Sequence, residues 1–137
     1  MRNGGLFVHP QAHTRNGLWI LEKPVFTLVA GATESEKESL CLRALSLSRR
    51  DVRDPEPSEN ISTPLLEVAG VRSWRTFMKG VKLCEVEETG SEFVFLPYKT
   101  VGSGFEPIND RQVRISAVNG EQGRFAAELD MCLSIAH

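Results

Sequence analysis

The side chains in this chain best able to act on another molecule are carboxylates, and they fall into two groups. Glu85, Glu87 and Glu88 lie close together with Glu92 just beyond, and Asp51, Asp54, Glu56 and Glu59 form the second group. Clustered acids can do two kinds of work. A glycosidase pair needs two acids facing one pocket, one of them kept protonated by its surroundings. Ionised acids on a surface instead receive a basic partner and speed its arrival. Side chains alternate along a strand, so Glu85 and Glu87 share one side and Glu88 takes the other. That spread around a hairpin tip suits a surface patch better than a shared pocket. The plainer alternative is a solvated strand end that discourages edge pairing. The second group is interleaved with Arg49, Arg50 and Arg53, so its net field is weak.

No other catalytic constellation accompanies these acids. GxSxG, HExxH, P-loop and GxGxxG patterns are missing. VGSGFEP has two glycines but neither the lysine nor the helix that a phosphate-binding loop needs, and it reads as a turn. His9 and His13 flank Pro10, so no helix holds them on one face, and His137 is the last residue. Cys41, Cys84 and Cys132 are widely spaced, with no CxxC pair. Each lies among apolar residues and reads as a small buried hydrophobe, which favours a reducing compartment. We therefore assign no catalytic, cofactor-binding or metal-ligating residue, and expect no enzyme activity and no cofactor.

One stretch offers different chemistry. RSWRTFMKG, from Arg72 to Gly80, combines three cations with Trp74, Phe77 and Met78, and Lys82 follows. Cations beside exposed aromatics can hold nucleic acid. A helix capped by Ser73, however, places Trp74, Phe77, Met78 and Val81 on one face, with Arg75, Thr76 and Lys79 opposite. Gly80 suits the left-handed stop of such a helix. This spacing favours a short docking helix over a stacking platform. The net charge of −2 and pI near 5.9 also argue against a general nucleic-acid binder. A small nucleic-acid-binding module built on residues 72–82 is the alternative.

These residues need a scaffold. With 137 residues, 41% hydrophobic and 25% charged, the chain fits one soluble domain over residues 1–137. The N-terminal residues lack the apolar run of a signal peptide, and no apolar stretch is long enough to span a membrane, so a cytoplasmic location is expected. Residues 1–16 read as a peripheral strand or arm, with GLFVHP as a short edge strand. Thr33 with Glu36, or Ser35 with Glu38, makes a capping box for a helix over 33–48. Residues 51–64, rich in proline and acid, read as a mobile surface loop. VKLCEVEE and EFVFLPYKT form a hairpin closed near Thr89 and Gly90, and QVRISAV is a third strand. A final helix carries Phe125, Leu129, Cys132 and Leu133 on one face, with Asn119 as its N-cap. VFTLVAGATESEKESLCLRALSLS and VRISAVNGEQGRFAAELDMCLSIA, 88 positions apart, both read as a strand leading into a helix. The fold class is α/β (α+β): a central mixed β-sheet with two main helices and one short helix packed on it.

Three separated motifs then carry a resemblance. They are Arg72, Ser73, Trp74, Arg75 and Phe77; Phe93, Phe95 and Pro97 in an aromatic strand ending in proline; and Gly104, Phe105 and Pro107 in a GF-x-P turn. Their order over residues 70–136 resembles the CdiI immunity proteins of bacterial contact-dependent growth inhibition. The resemblance extends more loosely to the earlier strand–helix unit and leaves out residues 1–16. It implies a non-catalytic inhibitor that binds the C-terminal toxin domain of a cognate CdiA effector, as a 1:1 heterodimer in the cytoplasm. Many such toxins are nucleases, some acting on tRNA. A nuclease cleft is basic, so an inhibitor covering it presents carboxylates. On that basis the toxin-binding candidates are Glu85, Glu87, Glu88, Glu92, Asp51, Asp54, Glu56 and Glu59. Arg72, Ser73, Trp74, Phe77, Phe95, Pro97, Phe105 and Pro107 read as a structural signature of the fold. Neither direct nucleic-acid contact nor membrane contact is expected.

Overall fold

A computed structural model of the chain describes residues 1–118 and 123–137. In chain order the elements are β1 (Leu6–Val8), β2 (Gln11–Thr14), β3 (Trp19–Leu21), β4 (Phe26–Leu28), α1 (Glu34–Ser46), β5 (Arg49–Val52), α2 (Thr63–Val68), α3 (Trp74–Phe77), β6 (Leu83–Thr89), β7 (Glu92–Val101), β8 (Gly104–Pro107), β9 (Val113–Ser116) and α4 (Arg124–Ile135). The class is α+β in a single domain, as the sequence implies. The strands, however, are shared among three sheets. They form a four-stranded sheet of β6, β7, β8 and β9, a three-stranded sheet in the order β3-β2-β5, and the pair β1-β4.

The four-stranded sheet is organised by β7, whose ten residues exceed the length of any neighbour. One edge of β7 pairs antiparallel with β6 along its length. The other edge takes β9 over Glu92 to Phe95 and β8 over Tyr98 to Val101. Pro97 sits between those two ladders. Its carbonyl accepts from the Ile108 N–H at 2.8 Å, so its missing N–H also faces the gap where neither short strand needs a donor. GFEP, read from sequence as a turn, is the strand β8. Its four residues are too few for periodicity to reveal.

α4 covers one face of this sheet. Phe125 meets Phe93 and Phe95 edge-on, with ring centroids 5.2 and 5.0 Å apart. Leu129, Cys132 and Leu133 extend the cluster to Ile115 and to Cys41 of α1. Thr33 and Glu36 form the reciprocal cap of α1, which decides between the two capping boxes the sequence allowed. Asn119, the expected cap of α4, lies outside the described residues. Gly123 precedes the helix at φ +80°, and a Cβ there would come within 2.7 Å of the Glu34 carboxylate. The two strand–helix units, β4–α1 and β9–α4, are both present, although β4 and β9 belong to different sheets.

A second cluster joins Leu65 and Leu66 of α2 to Phe77, Met78 and Val81 beside α3. The helix α2 has no counterpart in the sequence reading, because it is one short segment behind a proline-rich loop. Residues 1–16 supply β1, the short edge strand expected in GLFVHP, and also β2, where Ala12 and Thr14 are fully buried and not peripheral. The cysteines also differ from expectation. Cys84 and Cys132 form a disulfide, and only Cys41 is a free, buried thiol. The strand and helix faces that the sequence sends inward bring two of the three sulfurs together.

Phe95 is 1% exposed at the centre of the main cluster. Phe95→Ala is expected to destabilise the fold by about 3–5 kcal/mol. Met131→Ala, on the exposed side of α4, should cost within about 0.5 kcal/mol. Urea denaturation followed by circular dichroism checks both.

Candidate functional site: a cleft along an open strand edge

β6 pairs with β7 on one side only, and among the described residues no strand pairs with its outer edge. Just before β6, Lys82 donates its N–H to the Met1 carbonyl at 2.8 Å. From there a cleft of about 520 Å³ runs along the strand. β6 and the residues flanking it form one wall. The β1–β2 turn, Trp19, the end of α1 and Arg49 and Arg50 form the other, with Cys41, Leu129 and Leu133 also lining it.

Glu85, Glu87 and Glu88 all line this cleft. Glu85 stands opposite Leu96 and Glu87 opposite Val94, on the sheet face away from α4. Glu88 stands opposite Phe93, whose ring packs on α4. The alternation expected from sequence is therefore present. Glu85 is half-buried, and Tyr98 donates its hydroxyl to Glu85 Oε2 at 2.9 Å, which fixes the carboxylate. Burial, then this hydrogen bond to an anion, pushes the Tyr98 phenol well above its ordinary range. Glu87 and Glu88 are exposed.

The remaining sequence candidates are elsewhere. Glu92 is not in the cleft and pairs with Arg114 at 3.3 Å. None of Asp51, Asp54, Glu56 and Glu59 lines it. Arg53 meets Glu59 at 2.8 Å and Glu56 at 4.0 Å. Hydrogen bonds from Arg53 and from the Glu56 N–H hold the Glu59 carboxyl below its ordinary value. Asp51 takes a positive φ of 55° within β5, where the register against β2 shifts. Asp54 has one carboxylate oxygen buried, without a partner among the described residues.

The opposite wall was not legible in sequence. Arg49 meets Glu22 at 2.8 Å, and the Arg50 guanidinium lies 5.5 Å from the Trp19 ring centroid. His9 lies largely buried, its Nδ1 3.0 Å from the Pro10 carbonyl oxygen. Burial holds its pKa below the usual value and favours the neutral ring. The cleft thus has acids on the β6 side and cations on the facing side. No local motif unites residues 9, 19, 49 and 50, because only the tertiary fold makes them neighbours.

The signature residues have structural positions. Ser73 caps α3 by accepting from the Thr76 N–H at 3.2 Å. Trp74 donates its indole N–H to the Ser103 carbonyl at 2.7 Å and packs on Phe77 and Phe105. The RSW and GF-x-P motifs therefore meet. Gly80 takes φ +71° in the turn after α3, but the helix already ends at Phe77 with Met78 as its cap, two residues before the stop expected at Gly80. Arg72, Arg75 and Lys79 are exposed, and among the described residues none has an ion-pair or hydrogen-bond partner for its side chain. The sequence places no carboxylate between Glu67 and Glu85 to neutralise them.

Fold and cleft together define a small α+β protein that offers a charged groove beside an unpaired strand edge. No family model matches the chain, and no curated protein matches it in sequence. Solved structures do match its fold. A protein of unknown function from Neisseria meningitidis superposes with a TM-score of 0.80 at 18% identity, over 100% of this chain and 92% of that one. A chain of a CdiA-CT/CdiI toxin and immunity complex from Yersinia pseudotuberculosis superposes with a TM-score of 0.78 at 14% identity, over 100% of this chain and 94% of that one. No helix among the described residues is long and apolar enough to cross a membrane.

Proposed function

We propose that this chain is an immunity protein. It binds the C-terminal toxin domain of a cognate CdiA effector in the cytoplasm, 1:1, and blocks it without catalysis. The observation that carries this reading is the cleft along the open β6 edge, with Glu85, Glu87 and Glu88 on its wall. The shared fold with a chain of a toxin and immunity complex supports it. An unpaired edge offers backbone donors and acceptors to an extended segment, and the adjacent side chains then select that segment. Cationic side chains suit the acidic wall, as in a nuclease that must hold phosphates. Long-range attraction to such a surface raises the encounter rate, which matters against a toxin lethal while unbound.

The test is binding to, and growth rescue from, the toxin domain encoded immediately upstream. Reversing the cleft acids together (Glu85→Lys, Glu87→Lys, Glu88→Lys) should slow association tenfold or more at low salt, with a smaller effect at high salt. Glu56→Lys with Glu59→Lys should change the rate far less, since Arg53 already neutralises that pair. Stopped-flow or surface-plasmon kinetics checks both. The opposite ranking places the contact at the second acid group.

A second reading rests on the exposed Arg72, Arg75 and Lys79. Three cations on one short, anchored segment suit a phosphate backbone. Trp74 is turned inward with its N–H engaged, which leaves no stacking platform. This reading predicts weak RNA binding without sequence preference, steeply lowered by salt and abolished by Arg72→Glu, Arg75→Glu and Lys79→Glu together. Fluorescence anisotropy with a labelled duplex RNA checks it.

A further inference from the structure

We propose that the Cys84–Cys132 pair is a redox-operated clamp on β6, fixing the cleft wall when oxidised and loosening it when reduced. Cys84 lies on β6 and Cys132 on α4, 48 residues apart in sequence, with Cα atoms 6.0 Å apart. That spacing suits a bridge without displacing either element. The bond joins β6, which among the described residues pairs with β7 alone, to the helix behind it. Both halves sit in the main apolar cluster, so the two thiols of the reduced chain stay packed as small hydrophobes. Reduction therefore releases the tie without dismantling the core.

Access and selectivity are also built in. Cys84 is half-buried and lines the cleft, so small thiols and disulfides reach it there. Cys132 is 4% exposed and serves as the internal partner. Cys41 lies in the same cluster but is a poor competitor. Burial, reinforced by Glu38, pushes its thiol up to about 12, which leaves little thiolate for exchange. With a small-molecule disulfide such as oxidised glutathione as oxidant, the Cys84 thiolate attacks one sulfur and releases one glutathione thiolate. The Cys132 thiolate then displaces the second glutathione from Cys84 and closes the bridge. The two protons from the protein thiols pass to the departing thiolates, so one disulfide is reduced as one forms. Excess dithiol reverses the sequence.

The consequence falls on β6. An edge strand held by one ladder opens locally more readily than a central one, and a covalent tie to α4 suppresses that opening. The clamp acts on the strand assigned above to the partner, but its test needs no partner. The full-length chain is treated with oxidised glutathione or with dithiothreitol and followed by mass spectrometry and amide hydrogen exchange. Oxidation should lower the mass by about 2 Da, map to Cys84–Cys132 in peptides, and raise Tm by about 10 °C. It should slow exchange over Leu83–Thr89 at least tenfold, with a smaller change in β8. Cys41→Ala should keep this response. Cys132→Ala should form no bridge and stop at the Cys84–glutathione mixed disulfide, without the slowed β6 exchange. A bridge to Cys41, no bridge at all, or equal β6 exchange in the two states of the wild-type chain would overturn the proposal.

Discussion

A strand has two edges, and that limit shapes this molecule. β7 gives one edge to β6 and divides the other between β9 and β8. Among the described residues, β6 is left with a strand neighbour on one side and a row of backbone groups on the other. α4 packs across the sheet face, by way of Phe125 against Phe93 and Phe95, and leaves that edge uncovered. An open edge invites pairing with any extended chain, and charged side chains are the usual guard. Glu85, Glu87 and Glu88 line the cleft along this edge. The same carboxylates that discourage indiscriminate pairing suit a partner with complementary cations. Protection and selectivity therefore need no separate devices.

The cleft exists because the smaller sheets stand across from that edge. The β1–β2 turn and the Arg49–Arg50 start of β5 close the far side. Each of these cations is already engaged, Arg49 by Glu22 and Arg50 by the Trp19 ring. The acidic wall has less internal compensation, since Glu87 and Glu88 are exposed and only Glu85 is held, by Tyr98. The second acid group is the reverse case. Arg53 ties Glu56 and Glu59 to their own loop, so a similar count of acids projects a weaker field.

Local chemistry made much of this visible in the sequence. The Thr33–Glu36 cap, the Ser73 cap and the hairpin turn after Thr89 depend on near neighbours, and each is where those neighbours require. The two faces of β6 followed from alternation alone. What stayed hidden depends on distant parts of the chain. β8 and α2 are too short for a period to declare them. His9, Trp19, Arg49 and Arg50 meet the β6 wall only after three sheets are in place. The Cys84–Cys132 bridge requires β6 and α4 to be packed before two separated apolar positions can become partners.

The central claim is that the partner seats along the β6 edge. Amide hydrogen exchange of the chain alone and in complex with the proposed partner, a CdiA C-terminal toxin domain, tests that most directly. The account predicts new protection concentrated in Leu83–Thr89 and in residues 8–11 across the cleft, with α3 and β8 unchanged. Protection centred instead on α3 and the Arg72, Arg75 and Lys79 surface, with β6 still exchanging freely, would contradict it.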